Sequence, residues 1–181
     1  MRIISGEFKG RKLRPPMGLP VRPTTDMARE ALFNILRNKI EFEQVSVLDL
    51  FSGTGAIGFE FISRGVQSVT SIEQNPKCID FQKRMAEDLG IKNHFPLRMD
   101  VFNFLGRSKQ KFDLVFADPP YDLKQFDMVP ELVIKSFLKP EGIFVLEHSK
   151  EHNYESFDWF VEQRHYGKVN FSFFQNPEEQ E

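Results

Sequence analysis

From residue 45 onward the chain repeats one pattern: a short apolar run closed by an acid, followed by apolar residues at helical spacing. VSVLDL (45–50), VTSIE (69–73), PLRMD (96–100), FDLVFAD (112–118) and GIFVLEH (142–148) read as buried strands. The stretches around 56–64, 76–89, 100–107 and 124–138 read as the helices between them. This β–α rhythm predicts an α/β fold: a parallel sheet with helices on both faces and right-handed crossovers. The rhythm then breaks. WFVEQRHYG and KVNFSFFQ are strand-like and share Gly167–Lys168 as a tight turn, which predicts a terminal hairpin and an antiparallel edge.

The first 43 residues read as an extension to a domain spanning 44–181. Residues 2–14 alternate weakly around Gly6 and Gly10 and predict a short hairpin. Pro15, Pro16, Gly18 and Pro20 form a turn-rich linker. Thr24 or Thr25 then caps a helix with Asp26 in its first turn and apolar residues at Ala28, Ala31, Leu32, Ile35 and Leu36. The acidic end NPEEQE (176–181) reads as a frayed tail.

A length of 181 residues fits one domain, and 40% hydrophobic content supports a sizeable core. The 20 phenylalanines read chiefly as core fillers. With the single Cys78, neither a disulfide framework nor a cysteine metal cluster forms within one chain. No histidine neighbours Cys78, so it reads as a half-buried helix residue rather than a nucleophile. His94, His148, His152 and His165 lack zinc-protease spacing, so no metal is expected. No apolar run approaches the roughly 18 residues of a membrane span, and the basic N-terminus lacks a signal peptide's apolar stretch. A cytoplasmic protein without a membrane partner is expected.

A net charge of −2 gives no hint of nucleic acid, but its distribution does. Residues 1–40 carry nine Lys/Arg against three acids, +6, which leaves −8 for the rest. A basic arm on an acidic domain is a candidate phosphate-contacting element. Its candidate contacts are Arg11, Lys12, Arg14, Arg22, Thr24 and Arg29. Arg22 and Arg29 flank a capped helix start, where an anion can bind.

Two motifs carry chemistry. In Asp49-Leu-Phe-Ser-Gly-Thr-Gly-Ala-Ile-Gly58, the glycines Gly53, Gly55 and Gly58 spell GxGxxG between a strand and a helix. A dinucleotide would place its pyrophosphate beside Asp49, whose carboxylate repels phosphate and suits an ammonium. Glu73 ends the next strand, where a carboxylate accepts ribose hydroxyls. Asp100 ends the third, where it can meet an adenine amine or simply cap a helix. Adenosine joined to an amino acid without phosphate describes S-adenosylmethionine.

The second motif is Asp118-Pro119-Pro120-Tyr121, directly after the strongest strand. In a doubly wound sheet this loop shares a crevice with Asp49. An exocyclic base amine is a weak nucleophile because its lone pair is delocalised into the ring. Donation to Asp118 and to the Pro119 carbonyl aligns that nitrogen with a methyl donor, and Tyr121 offers a face for base stacking. Glu147 and His148 follow the fifth strand; the plainer reading makes both structural.

RIISGEFKGRKL, RPTTDMAREALFNIL, VLDLFSGTGAIGFE and FADPPY together resemble the RsmD family, bacterial methyltransferases that modify one guanine at N2 in small-subunit (16S) ribosomal RNA. The resemblance covers essentially the whole chain. It implies a Rossmann-like class I methyltransferase with a seven-stranded, mostly parallel sheet whose last strand is inserted antiparallel. It implies S-adenosylmethionine held by the Asp49–Gly58 loop, which includes Phe51, Gly53 and Gly55, and by Glu73, and a guanine held by Asp118, Pro119, Pro120 and Tyr121. From their places at the second and third strand ends, Gln74, Asp100 and Val101 are further cofactor candidates. It implies a substrate of assembled or assembling small subunits, contacted by the N-terminal arm. No segment signals a lasting protein partner. DPPY-type motifs also serve adenine N6 and cytosine N4, so a DNA or other nucleic-acid amino-methyltransferase is the alternative enzyme. A non-catalytic RNA-binding assembly factor is the alternative outside catalysis.

Overall fold

The computed structural model describes residues 1–19 and 24–176. Arg22 and the tail 177–181 lie outside the described residues.

Among the described residues, seven strands form one sheet: β1 (Ser46–Leu50), β2 (Ser68–Glu73), β3 (His94–Arg98), β4 (Phe112–Ala117), β5 (Leu138–His148), β6 (Phe160–Tyr166) and β7 (Val169–Gln175). Their order is β3-β2-β1-β4-β5-β7-β6. β1 to β5 pair in parallel, and β7 inserts antiparallel between β5 and β6, as the family resemblance implied. The helices are α1 (Asp26–Leu36), α2 (Ala56–Ser63), α3 (Pro76–Asp88), α4 (Val101–Arg107) and α5 (Val129–Phe137).

Period-two alternation along the strands divides the core in two. Leu48, Leu50, Val115, Ala117, Phe144 and Leu146 face α4 and α5. Val47, Leu114, Phe116, Ile143 and Val145 face α1 and α2. Three of the five described helices, α1, α3 and α4, are capped at their starts by side chains. Thr25 accepts the Ala28 N–H, Asn75 the Lys77 N–H and Asp100 the Asn103 N–H. The N-terminal arm pairs Arg2 with Lys12 and buries Ile3 and Leu13 against Phe59 of α2 and Phe81 of α3. Glu60, fully buried in α2, anchors the arm by accepting the Ile4 and Ser5 N–H groups.

Three boundaries differ from expectation. β3 starts at His94 rather than 96, because its register against β2 runs from Val69↔His94 to Glu73↔Arg98. It is an edge strand with Phe95 and Leu97 exposed, so it shows no continuous apolar run. β5 starts at Leu138 rather than 142; the register against β4 slips between Phe112 and Leu114, and Glu141 takes φ 61°. The fourth predicted helix begins later, at Val129, after a 3₁₀ turn over Phe126–Met128.

Candidate active site

Parallel strands bring their C-terminal ends to one side of the sheet, and the cleft lies there. It has a volume of about 570 Å³, within the usual range for small-molecule sites. Its floor is the loop after β1 together with the ends of β2 and β4, and α4 begins at its wall. The start of α1 and the β6–β7 turn, Tyr166 to Val169, complete its rim.

The loop after β1 is held in a conformation that ordinary backbone resists. Phe51 adopts φ 56°, the left-handed region that costs a residue with a Cβ, followed by Gly53 at φ 53° and Gly55 at φ 77°. Neighbouring groups maintain it. The Ser52 N–H reaches the Ile72 carbonyl at 3.1 Å, and the Gly53 N–H reaches Glu73 Oε2 at 2.9 Å. From α3, Gln82 Nε2 donates to the Gly53 carbonyl at 2.8 Å and to Ser52 Oγ at 3.0 Å. A Cβ on Gly55 would lie 2.9 Å from the Gln82 side chain, so position 55 needs glycine for space as well as for φ.

Asp49 sits beneath this loop, 1% exposed, yet it contributes to the cleft lining. Its Oδ2 has no hydrogen-bond partner among the described residues. Burial, reinforced by the nearby charge of Glu73 and opposed by the Gly58 N–H, pushes its carboxyl up to about 8. A buried carboxyl group on a cleft lining, with one oxygen lacking a hydrogen-bond partner among the described residues, is a fitting receptor for a cationic group such as an amino acid's ammonium. The donor set therefore fits S-adenosylmethionine. Five acidic side chains on the lining (Asp49, Glu73, Asp100, Asp118 and Glu147) make it unfit for a pyrophosphate.

The remaining expected cofactor residues divide. Phe51, Gly53, Glu73, Gln74, Asp100 and Val101 all line the cleft. Asp100 both caps α4, through Oδ1, and faces the cleft. Gly55 and Gly58 do not form its wall. Gly58 lies inside α2, where a Cβ would stand 3.2 Å from Asp49 Oδ2, so its role is to let the helix backbone pack on that carboxyl.

Asp118, Pro119, Pro120 and Tyr121 leave β4 into the same cleft. Pro119 is buried, whereas Tyr121 is 39% exposed at the mouth. Glu147 corrects the plainer reading: it is 3% exposed, lines the cleft and accepts the Thr24 hydroxyl at 2.8 Å. His148 keeps its structural reading, bound between Ser172 Oγ and the Ser149 carbonyl.

Arg11, Lys12 and Arg14 project from the arm, exposed and away from the cleft lining. Arg29 is a correction. It is fully buried, donating to the Arg2 carbonyl and, at 2.9 Å, to Asp26, so it ties the arm to α1 instead of meeting a surface phosphate. Sequence reasoning missed Gln82 and the β6–β7 turn. Gln82 had a signal, a polar residue in line with Cys78, Ile79 and Ala86 on the buried side of α3. Among the described residues no group of three or more His, Cys, Asp or Glu could hold a metal. Among them, too, no helix is long and apolar enough to cross a membrane.

Fold and cleft together define the class: a Rossmann-like, S-adenosylmethionine-dependent methyltransferase. The chain belongs to the family described as conserved hypothetical protein 95, whose model matches residues 1–175. It is 33% identical over 154 residues to the ribosomal RNA small subunit methyltransferase D of Buchnera aphidicola subsp. Baizongia pistaciae, covering 84% of this chain and 78% of that one. It is 31% identical over 156 residues to the Haemophilus influenzae protein of the same name, covering 83% and 80%. These relatives bear out the resemblance to RsmD. A solved hypothetical protein of Thermus thermophilus superposes with a TM-score of 0.83 at 27% identity, over 96% of this chain and 98% of that one. An RNA methyltransferase of Salinibacter ruber, solved with S-adenosyl-L-homocysteine, shares the fold with a TM-score of 0.68 at 15% identity, over 88% and 97%.

Proposed function

We propose that this protein methylates the exocyclic N2 amine of a guanine in small-subunit ribosomal RNA, acting on assembled or assembling subunits. Ribosomal RNA methylation follows from the relatives named above; the guanine and the subunit context follow from the family resemblance. The observation that carries the reading is that the Asp118–Tyr121 loop opens into the same cleft as Asp49 and Glu73.

Bound S-adenosylmethionine supplies an electrophilic methyl on sulfonium sulfur. Asp49 would take the ammonium, Glu73 the ribose hydroxyls, and Asp100 the adenine amine beside Val101 and Phe102, which also line the cleft. Asp118 and the Pro119 carbonyl each accept one N–H of the base amine, which holds the nitrogen in line with the methyl and frees its lone pair. As positive charge develops on nitrogen, the Asp118 carboxylate stabilises it, and Asp118 or water then takes the proton. The target base leaves its stack to enter, and Tyr121 receives its face. The segment 1–43 is the RNA-contacting part, with Arg11, Lys12 and Arg14 as phosphate contacts.

The test is transfer of labelled methyl from S-adenosylmethionine to small subunits lacking the modification, to their naked RNA and to duplex DNA. N2-methylguanosine on the subunits is the expected product. Label on duplex DNA alone, or cofactor binding with no transfer, removes the reading.

A further inference from the structure

An amine held by Asp118 and Pro119 explains methyl transfer but not the choice of base, since adenine, cytosine and guanine all present a planar –NH2. A second carboxylate sits where that choice can be made. β4 and β5 run parallel with Phe116 opposite Val145 and Ala117 opposite Leu146, so Asp118 and Glu147 come next on neighbouring strands. Neighbouring strands lie about 4.8 Å apart. Alternation sets the face: Phe116, Ile143 and Val145 point toward α1 and α2, and Glu147 continues that row to meet Thr24 at the start of α1. Asp49 lies on the same face of β1, level with Phe116 and so two residues deeper. Asp49 thus lies two residues deeper than the level at which Asp118 and Glu147 follow the last paired residues of β4 and β5, and all three line the cleft.

We propose that Glu147 selects guanine by accepting its ring N1–H while Asp118 holds the adjacent N2 amine; this rests on the function proposed above. Guanine alone among the amino-bearing bases carries a ring N–H beside its exocyclic amine. Adenine and cytosine present a ring-nitrogen lone pair there, which a carboxylate repels, so one residue both attracts the right base and rejects the wrong ones. Glu147 is built for this task. It is 3% exposed on the cleft lining, and the Thr24 hydroxyl fixes Oε2 at 2.8 Å. Each carboxylate oxygen accepts more than one hydrogen bond, so a carboxylate already engaged by neighbouring groups keeps acceptor capacity for N1–H.

The test replaces the mapped target guanine in reconstituted small subunits with 2,6-diaminopurine, which keeps the 2-amine and lacks N1–H. Wild-type protein should prefer guanine in kcat/KM by roughly ten- to a hundred-fold, the weight of one hydrogen bond to a charged group. Glu147→Gln offers an N–H to the diaminopurine ring nitrogen and should collapse that preference, with S-adenosylmethionine affinity kept within about threefold. Equal rates of the wild type on both bases overturn the assignment without any variant. So does a Glu147→Gln protein that slows on both bases while keeping the ratio, the result of a merely structural role. Thr24→Val, which removes the steadying hydroxyl, should narrow the preference in the same direction. A wild type that makes no N2-methylguanosine overturns the parent function and this assignment with it; retention of that product with an unaltered ratio in the variant overturns Glu147 alone.

Discussion

Glu73 at the end of β2 accepts the Gly53 N–H at 2.9 Å through Oε2, and the Asn75 N–H at 2.8 Å through Oε1. One carboxylate therefore joins the glycine loop to the start of α3. It stands on the cleft lining with each oxygen already oriented by a backbone donor. A ligand diol meeting it finds the acceptor preorganised, and little freedom is lost on binding.

Glu73→Ala should therefore weaken S-adenosylmethionine binding by roughly 1.5–3 kcal/mol, the usual weight of hydrogen bonds to a charged group. Glu73→Gln should lose less, because the amide oxygen still receives one backbone N–H. Titration calorimetry on both variants checks this. Unchanged affinity in the alanine variant would take Glu73 out of the ribose site.

Asp49 makes binding and stability depend on pH. Its carboxyl is raised from the ordinary 3.8 to about 8 by burial, so at pH 7 it is mostly protonated in the ligand-free protein. An ammonium seated beside it favours the ionised form, so binding at pH 7 should release a proton. Calorimetry in buffers of different ionisation enthalpy should show that release in the wild type and its loss in Asp49→Asn. Folding carries the opposite signature. Below about pH 4 the native and unfolded states both hold the proton. Between about 4 and 8 only the native state does, so stability falls as pH rises and levels off above 8. The stability gained by Asp49→Asn over the wild type should grow across that window in denaturant titrations at pH 5, 7 and 8.5. A gain that is flat with pH would mean the carboxyl ionises normally.

The strands, the cleft end of the sheet and the DPPY loop were legible because each is written locally, in an apolar run with its punctuation. What escaped is set by tertiary neighbours. Glu147 lies near the end of a buried strand and reads as structural; whether it lines the cleft depends on the face that Ile143 and Val145 take and on where α1 begins. The β6–β7 turn was legible as a turn but not as cleft rim. Insertion of β7 beside β5, with His148 opposite Asn170, carries the turn to the cleft. Arg29 read as a surface cation because nothing nearby in sequence announces that the arm covers it. Gly58 matched a ligand motif but serves packing, since helix–sheet approach and ligand approach require the same absence of a Cβ.

Asp118→Ala should separate chemistry from cofactor binding. In the proposed function Asp118 meets the acceptor amine, whereas Asp49, Glu73 and Asp100 are assigned to the cofactor; all four line one cleft. Turnover on small subunits should vanish, while S-adenosylmethionine affinity stays within a few-fold. Binding and turnover falling together would mean that the Asp118–Tyr121 loop holds cofactor instead of base.

The arm predicts a different division. Arg11, Lys12 and Arg14 are exposed on a hairpin whose buried side, Ile3 and Leu13, packs on α2 and α3. Reversing their charge leaves that packing untouched, so thermal stability should hold. Phosphate contacts release counterions on binding, so each one lost lowers the salt dependence of affinity by about one unit of log–log slope. The triple Glu variant should bind small subunits more weakly and with a shallower salt slope, while its S-adenosylmethionine affinity matches the wild type. The direction matters because the rest of the chain carries a net −8, so the positive excess of the chain lies in its first 40 residues. Methylation of subunits at the wild-type rate across roughly 50–200 mM salt would remove the arm from the RNA interface. The search would then shift to the cleft rim, where Lys168 stands on the β6–β7 turn.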